Sequence, residues 1–329
     1  MTAAVLFKLF AIVAVVAIGW AVGRMQWLNA GGGGSDASRT LSNAAFCIFV
    51  PALLFRTTAR VDFAAVPWAT VAAVFAPTLA LMIGVYTLQR RANRGGALPV
   101  AAPGVRAIAS VFGNTVQVGI PLAAALFGET GLAIHLAIVS LHALVLLTAV
   151  TALVELDLAR AQPQRGAAGA HLVAVLATTV RNTVIHPVVL PVLMGLACNA
   201  SGLALPSVVD EILLTLGAAV VPLCLVLIGT SLAQYGIRGG VRPAIGLAAL
   251  KLVALPALVL GVAHWGFGLG GMPLAVVVML AALPVGSNPL IFAQRYRALE
   301  AETTAAVVIS TLAFVVTAPL WLALLARLG

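Results

Sequence analysis

Long apolar runs alternate along the whole chain with short polar, glycine-rich or arginine-bearing breaks. A helix needs about 20 predominantly apolar residues to cross about 30 Å of hydrocarbon. Ten windows meet this criterion and predict transmembrane spans 1 to 10, at 4–23, 40–58, 66–89, 105–127, 131–154, 183–200, 207–232, 243–263, 274–294 and 303–326. Because Arg181 would lie deep in the bilayer if span 6 began at His171, residues 171–181 are predicted to be interfacial.

Composition supports the same interpretation. Hydrophobic residues make up 62% of the chain and charged residues only 8%, against about 25% charged residues in a soluble domain. This balance excludes a soluble fold. The formal charge of +9 is concentrated in the links, which suits contact with anionic lipid and not nucleic acid. We expect residues 4–23 to be a membrane helix and not a signal peptide, because they lack a basic leader beyond Lys8.

The three cysteines and the carboxylates predict neither a metal site nor a catalytic centre. Cys47, Cys198 and Cys224 lie in apolar segments without the spacing of a disulfide framework or a metal site. All nine carboxylates fall in links or near span ends, which disfavours a proton antiporter built on mid-membrane aspartates. No HExxH motif or nucleophile elbow occurs, so we predict no enzyme activity and no cofactor.

Basic residues are strongly biased to alternate links. We number each link between spans by the span that it follows. Thirteen arginines lie in the odd-numbered links, and three lie in the even-numbered links or at the C-terminus. Because basic residues are retained in the cytoplasm, both termini are predicted to face outward.

Glycines and prolines recur at nearly constant intervals in the two halves of the chain. Three pairs share nearly the same sequence separation: Gly23 with Gly195, Pro51 with Pro222, and Pro121 with Pro289. Residues 1–165 and 171–329 would then be two repeats of five spans each. An odd number of spans gives the repeats opposite topology, as in many secondary transporters. Coincidence among common intramembrane glycines and prolines is the alternative.

Spans 4 and 9 each contain a break that combines glycine and proline with polar side chains. Unwound backbone at membrane depth must be buried in protein or line a wet cavity, so such breaks often mark a binding site. A half-helix that begins at a proline presents a positive dipole end, which favours an anion. The candidate substrate-binding residues are Asn114, Thr115, Gln117, Gly119, Pro121, Ser287, Asn288 and Pro289.

Two alternatives stay open for these breaks. Their amides could satisfy the backbone of a simple proline kink. Asn114, Gln117 and Ser287 also carry oxygens that could coordinate sodium.

Three further polar residues lie inside predicted spans. Lys251 lies near the middle of span 8 and is either a charge partner for the substrate, a brace across the broken helices, or a residue that snorkels to the interface. His135 and His142 lie seven positions apart on one face of span 5, where a packing role is favoured over a proton relay.

Four motifs, in this order and spacing, resemble those of the auxin efflux carrier family, which includes bacterial carriers described for malonate or malate. They are Phe49-Val50-Pro51-Ala52-Leu53-Leu54-Phe55, Gly113-Asn114-Thr115 with Gly119-Ile120-Pro121-Leu122, Val221-Pro222-Leu223 with Gly229, and Asn288-Pro289-Leu290-Ile291-Phe292-Ala293. The resemblance covers essentially the whole chain. Two departures are the blurred start of span 6, where Arg181-Asn182 precedes His186-Pro187, and the short link from Asp157 to Gly169.

The resemblance implies an all-α membrane fold with ten helices in a 5+5 inverted repeat and broken crossover helices 4 and 9. Scaffold helices would occupy about 4–58 and 183–232, and transport helices about 66–154 and 243–326. It also implies that Asn114 and Asn288 line the substrate site.

The implied function is efflux or exchange of a small organic anion, such as a mono- or dicarboxylate, across a bacterial inner membrane by alternating access. A sodium-coupled bile-acid-type symporter and an anion channel are the alternatives. The bilayer is the expected partner, and coupling to protons or sodium and assembly as a homodimer are left open.

Overall fold

The computed structural model describes residues 3–27, 40–60 except 42, 68–161, 189–234 and 240–328, together with positions 173, 177 and 181. Within these residues the regular structure is helical apart from one isolated β-bridge. The chain divides into two compact units: unit 1 comprises Met1–Pro67, Thr115–Ser140 and Ile185–Gly236, and unit 2 comprises Trp68–Asn114, Leu141–Val184 and Ile237–Gly329.

Twelve helices are defined in the described ranges. They are α1 (Ala3–Arg24), α2 (Val50–Arg60, preceded by a π-helical turn over Ala45–Phe49), α3 (Trp68–Ala92), α4 (Ala102–Val111), α5 (Gly119–Ala161), α6 (Val189–Ala200), α7 (Ser207–Ala218), α8 (Val220–Gln234), α9 (Val241–Gly266), α10 (Gly271–Ala281), α11 (Asn288–Tyr296) and α12 (Glu300–Leu328). The backbone of α5 is non-helical at Gly128, which has a φ of 65°.

Helical structure is present in every predicted span, although residues 183–188 of span 6 lie outside the described part. In the part of the chain that the structure describes, four stretches are long and apolar enough to cross a membrane, namely Trp68–Gly95, Gly119–Leu158, Val241–Gly266 and Glu300–Leu328. The prediction of an integral membrane protein is therefore confirmed, whereas ten crossings stay a prediction.

Pro121, Pro222 and Pro289 lie in the first turns of helices and not at the points where the chain breaks, whereas Pro77 and Pro319 lie inside α3 and α12. Pro121 is the third residue of α5, Pro222 is the third residue of α8, and Pro289 is the second residue of α11. Proline is tolerated there because the first N–H groups of a helix have no partner within it. Each break therefore lies just before its proline in the chain.

In unit 1, α1 packs closely along α8 at glycines. A Cβ atom on Gly19 would lie 2.3 Å from the carbonyl oxygen of Val226, and one on Gly229 would lie 2.1 Å from that of Val16. Small residues allow two membrane helices to approach this closely.

The contact between α2 and α6 repeats the pattern seen between α1 and α8. Gly195 of α6 packs on Thr58 of α2, where an added Cβ would lie 2.0 Å from the hydroxyl oxygen. Gly23 of α1 packs in the same way on Thr230 of α8, at 2.9 Å from its Cα. Both threonines are buried. The sequence interval between the two glycines equals that between the two threonines.

The first part of α5 belongs to the core of unit 1. Ile120, Leu132 and Leu136 pack with Val50 and Leu54 of α2. Residues 115–140 accordingly group with unit 1, although the family resemblance places them among the transport helices.

Unit 2 is held by apolar packing and by a partly buried ion pair. Ala109 of α4, Leu247 of α9 and Ala306 of α12 form one core cluster. Arg106 of α4 donates to both carboxylate oxygens of Glu302 of α12, at 2.7 and 2.9 Å. These contacts fix α4, whose C-terminal end enters the first break.

Candidate functional site

The two breaks meet in unit 2, where α4 ends at Val111 and α10 ends at Ala281. The N–H of Asn114 donates to the carbonyl oxygen of Pro284 at 2.7 Å, and the N–H of Gly286 donates to that of Phe112 at 3.0 Å. Gly113 and Val285 thus form an antiparallel bridge, which we call the crossing. Unwound backbone must be paired inside a membrane protein, and here each break pairs with the other.

A serine from α12 completes this pairing. The N–H of Val285 donates to the hydroxyl oxygen of Ser310 at 3.0 Å, and Ser310 is fully buried. The hydroxyl in turn donates to the carbonyl of Val307 at 3.1 Å. Ser310 was not among the predicted site residues, and its only sequence signal is a hydroxyl within an apolar run.

The crossing requires a glycine at position 286. A Cβ atom there would lie 2.9 Å from the carbonyl oxygen of Gly113 and 3.2 Å from the Phe112 ring. A Cβ atom at Gly113 would make ordinary contact, 3.4 Å from Nζ of Lys251. Of the two glycines in the crossing, Gly286 is therefore the one that the close approach of the backbones demands.

Lys251 is fully buried in unit 2 and lies beside the crossing. Its ammonium donates a short hydrogen bond to the carbonyl oxygen of Ala281, the last residue of α10. A cation at this end of a helix is favoured, because the last carbonyls carry partial negative charge. Among the described residues no carboxylate forms an ion pair with Lys251. Its side chain thus lies within unit 2 on the end of α10, and the role as a charge partner for the substrate stays a prediction.

The start of α11 lies immediately after the second break. Asn288 is its first residue and is partly buried, whereas Ser287 is exposed and Pro289 is buried. The N–H of Leu290 donates to the Ser287 carbonyl oxygen at 3.0 Å. The N-terminal end of α11 brings a positive dipole end and the Asn288 side chain to the same place.

The remaining candidates lie in unit 1, because the boundary between the units falls between Asn114 and Thr115. Thr115 is buried, and its carbonyl oxygen accepts a 2.8 Å hydrogen bond from Nε2 of His135. Gln117 is partly buried, and Gly119 and Pro121 are buried in the first turn of α5.

The two histidines occupy different surroundings. His135 braces the backbone of the first break in unit 1, whereas His142 lies in unit 2 with its ring 4.5 Å from that of Phe112. The contact of His135 supports the packing role that the sequence favoured. The Phe112 ring contact places His142 against the residue whose carbonyl pairs in the crossing.

The chemistry of the crossing is that of polar recognition. It gathers a buried ammonium and backbone amides in unit 2, with the Asn114 and Asn288 side chains on the two polypeptide segments that lead away from it. Within the described residues no group of three His, Cys, Asp or Glu side chains is placed to hold a metal ion.

Comparison with known protein families gives a match over almost the entire chain. A family model described as a membrane transport protein, Mem_trans, matches residues 4–322 and thus includes both breaks and Lys251. No curated protein matches the chain.

Proposed function

The chain belongs to the auxin efflux carrier family of membrane transport proteins, and on that premise we propose that it is a secondary transporter of a small organic anion. The observation that carries this proposal is the crossing, where two broken helices pair beside a buried ammonium. We place the substrate at this point, in contact with Asn114 and Asn288. Ser287 and Pro289 lie at the start of α11 beside Asn288, and Thr115, Gln117, Gly119 and Pro121, which follow Asn114 along the chain, stay candidate substrate-binding residues.

The charge balance at the crossing favours a carboxylate. Lys251 is neutralised by no described side chain, and a buried charge is costly unless it is paired. The carbonyl of Ala281 supplies a hydrogen bond but no counter-charge. A substrate carboxylate would supply it, assisted by the amide groups of Asn114 and Asn288 and by the N-terminal end of α11.

Repeated contacts support an inverted 5+5 repeat. The contact between a glycine and a threonine occurs twice in unit 1, because Gly195 packs on Thr58 and Gly23 packs on Thr230. The two glycines are separated by the same sequence interval as the two threonines. The crossing in unit 2 joins Gly113 to Val285, which are separated by that same interval. We therefore propose ten crossings of a bacterial inner membrane, with both termini outside, and alternating access as the transport mechanism.

Transport assays on purified protein in liposomes test this proposal. Solid-supported membrane electrophysiology with mono- and dicarboxylates should give saturable currents, and preloaded substrate should drive counterflow. Flux that does not saturate and shows no counterflow would instead identify an anion channel. Uptake that requires sodium would identify the symporter alternative, with oxygens of Asn114, Gln117 or Ser287 as its sodium ligands.

Asparagine variants test the location of the site. Asn114→Ala and Asn288→Ala should each weaken substrate binding by about 1.5 to 3 kcal/mol, roughly 10- to 150-fold, if a buried charge-assisted hydrogen bond is lost. Asn199→Ala is the matched control, because it removes an amide that donates at 3.0 Å to the Ala59 carbonyl outside both breaks. Unchanged affinity in both break variants, measured by calorimetry on folded protein, would remove the site from the crossing.

A further inference from the structure

A basic cavity of about 690 Å³ lies in unit 2 at the C-terminal end of α3. Its charged lining consists of four arginines and one carboxylate, which give a formal charge of +3: Arg90, Arg91, Arg94, Arg160 and Asp157. We call it the arginine cavity. Its residues are separate from those of the crossing.

Asp157 gives two of the arginines a fixed orientation. Its buried carboxylate accepts hydrogen bonds from Nε of Arg90 at 2.9 Å and from Nη1 of Arg160 at 3.4 Å, and it also accepts a hydrogen bond from the Tyr86 hydroxyl. The side chains of Arg90 and Arg160 remain 49% and 63% exposed. Both guanidinium groups are therefore oriented and keep N–H groups available for a ligand.

The other two arginines supply positive charge that no carboxylate offsets. Arg91 and Arg94 are exposed, and neither forms an ion pair with a carboxylate of the described residues. Four guanidinium groups around one cavity repel one another unless an anion binds among them. The cavity therefore has the electrostatic character of an anion site.

The loop that closes the cavity is held in one shape. The Asn93 side chain donates to the Leu98 carbonyl at 3.0 Å and accepts from the Leu98 N–H at 2.9 Å. Gly96, between them, has a φ of 69°, which glycine adopts without strain. These two bonds hold the backbone between Asn93 and Leu98, which includes that of Arg94.

Apolar side chains beside the cavity point to a lipid. Leu88 lies one helical turn before Arg91 and is 64% exposed, and Val100 lines the cavity and is 41% exposed. The cavity lies at the end of a membrane-length helix, Trp68–Gly95, where headgroups meet acyl chains. The predicted orientation places this end at the cytoplasmic leaflet, which carries anionic lipid.

We propose that the arginine cavity binds the phosphate of an anionic phospholipid headgroup. Arg91 and Arg94 contact the phosphate oxygens, while Arg90 and Arg160, oriented by Asp157, complete the ring of donors. The acyl chains lie along Leu88. Guanidinium groups suit this ligand because they bind two phosphate oxygens at once.

Lipid titration of the purified full chain tests the proposal. Phosphatidylglycerol is added to the protein in non-ionic detergent micelles, and bound lipid is counted by native mass spectrometry. The double variant Arg91→Gln with Arg94→Gln should lose about 25-fold in phosphatidylglycerol affinity, about fivefold for each arginine. Arg24→Gln with Arg242→Gln is the control, because it removes the same charge from exposed arginines outside the cavity and should change affinity less than about twofold.

Two further measurements distinguish binding by guanidinium groups from binding by charge alone, and a lipid ligand from a soluble phosphate. Arg91→Lys with Arg94→Lys retains the charge and should show a smaller loss than the glutamine pair, because an ammonium cannot bind two oxygens in a fork. Soluble glycerol phosphate should bind far more weakly than the lipid. Equal losses in the cavity and control pairs, or no loss in either, would overturn the proposal. Equal affinity for glycerol phosphate would also overturn it, in favour of a site for soluble phosphates.

Discussion

Replacement of Lys251 by methionine separates the two roles that its position allows. The substitution removes the buried ammonium but keeps most of the side-chain volume. If the ammonium pairs with a substrate carboxylate, Lys251→Met should weaken binding by about 1.5 to 3 kcal/mol, the range for a hydrogen bond to a charged group. That range corresponds to a loss of affinity of roughly 10- to 150-fold.

The same change has opposing effects on stability. The Ala281 carbonyl loses its hydrogen bond from Lys251, which costs about 1 to 3 kcal/mol when the group stays buried. The wild-type protein, in contrast, buries a charge that lacks a carboxylate partner, which costs several kcal/mol of folding free energy. The methionine variant avoids this cost. We therefore expect the thermal midpoint of the ligand-free protein to stay level or rise while affinity falls.

Calorimetry and thermal unfolding of the purified protein measure both effects. Lys251→Arg should restore part of the affinity, because it keeps the charge but replaces the compact ammonium with a planar fork beside Gly113. Wild-type affinity in Lys251→Met would refute a role in binding and leave Lys251 as a cap on α10. A large fall in the thermal midpoint would refute the stability argument.

Two other predictions concern the crossing and the orientation. Gly286→Ala should abolish most transport, because its Cβ would lie 2.9 Å from the Gly113 carbonyl oxygen and force the two backbones apart, whereas Gly246→Ala, with nothing within 4 Å of its Cβ, should transport normally in the same liposome assay. In a cysteine-free background, Gly95→Cys should be protected in intact cells from an impermeant thiol reagent and Gly270→Cys should react; the reverse labelling would overturn the predicted orientation.

The sequence located the breaks because their signal is local. Glycine, proline and amides within apolar runs identify residues 111–121 and 283–290 as breaks, and the structure ends α4 at Val111 and α10 at Ala281. Lys251 stood out for the same reason, as one charge in an apolar window. The family resemblance, which rested on these motifs, is confirmed by the match over residues 4–322.

The hydrogen-bond partners of the residues in the breaks could not be predicted from the sequence, because these bonds join segments that are far apart in the chain. Nothing in the periodicity near Val285 indicates that its N–H donates to Ser310, or that Asn114 pairs with Pro284. The arginine cavity was missed for a related reason. Its arginines were counted for orientation, but the arrangement around Asp157 arises only when the ends of α3 and α5 come together.

The crossing also bears on how the proposed repeat arose and what it permits. The N–H of Asn114 donates to the Pro284 carbonyl, and the N–H of Gly286 donates to the Phe112 carbonyl. Asn114 and Gly286 are separated by the same sequence interval as Phe112 and Pro284, so under the proposed repeat each hydrogen bond is the counterpart of the other. Under the proposed repeat, this is the isologous contact of a two-fold dimer, preserved after gene duplication and fusion. Two separate copies would present identical residues on both sides. In a fused chain this constraint no longer applies, and the equivalent positions 114 and 286 are here occupied by asparagine and glycine. If the proposed substrate site lies at this crossing, the loss of exact two-fold symmetry would suit a ligand with a carboxylate at one end and a different group at the other.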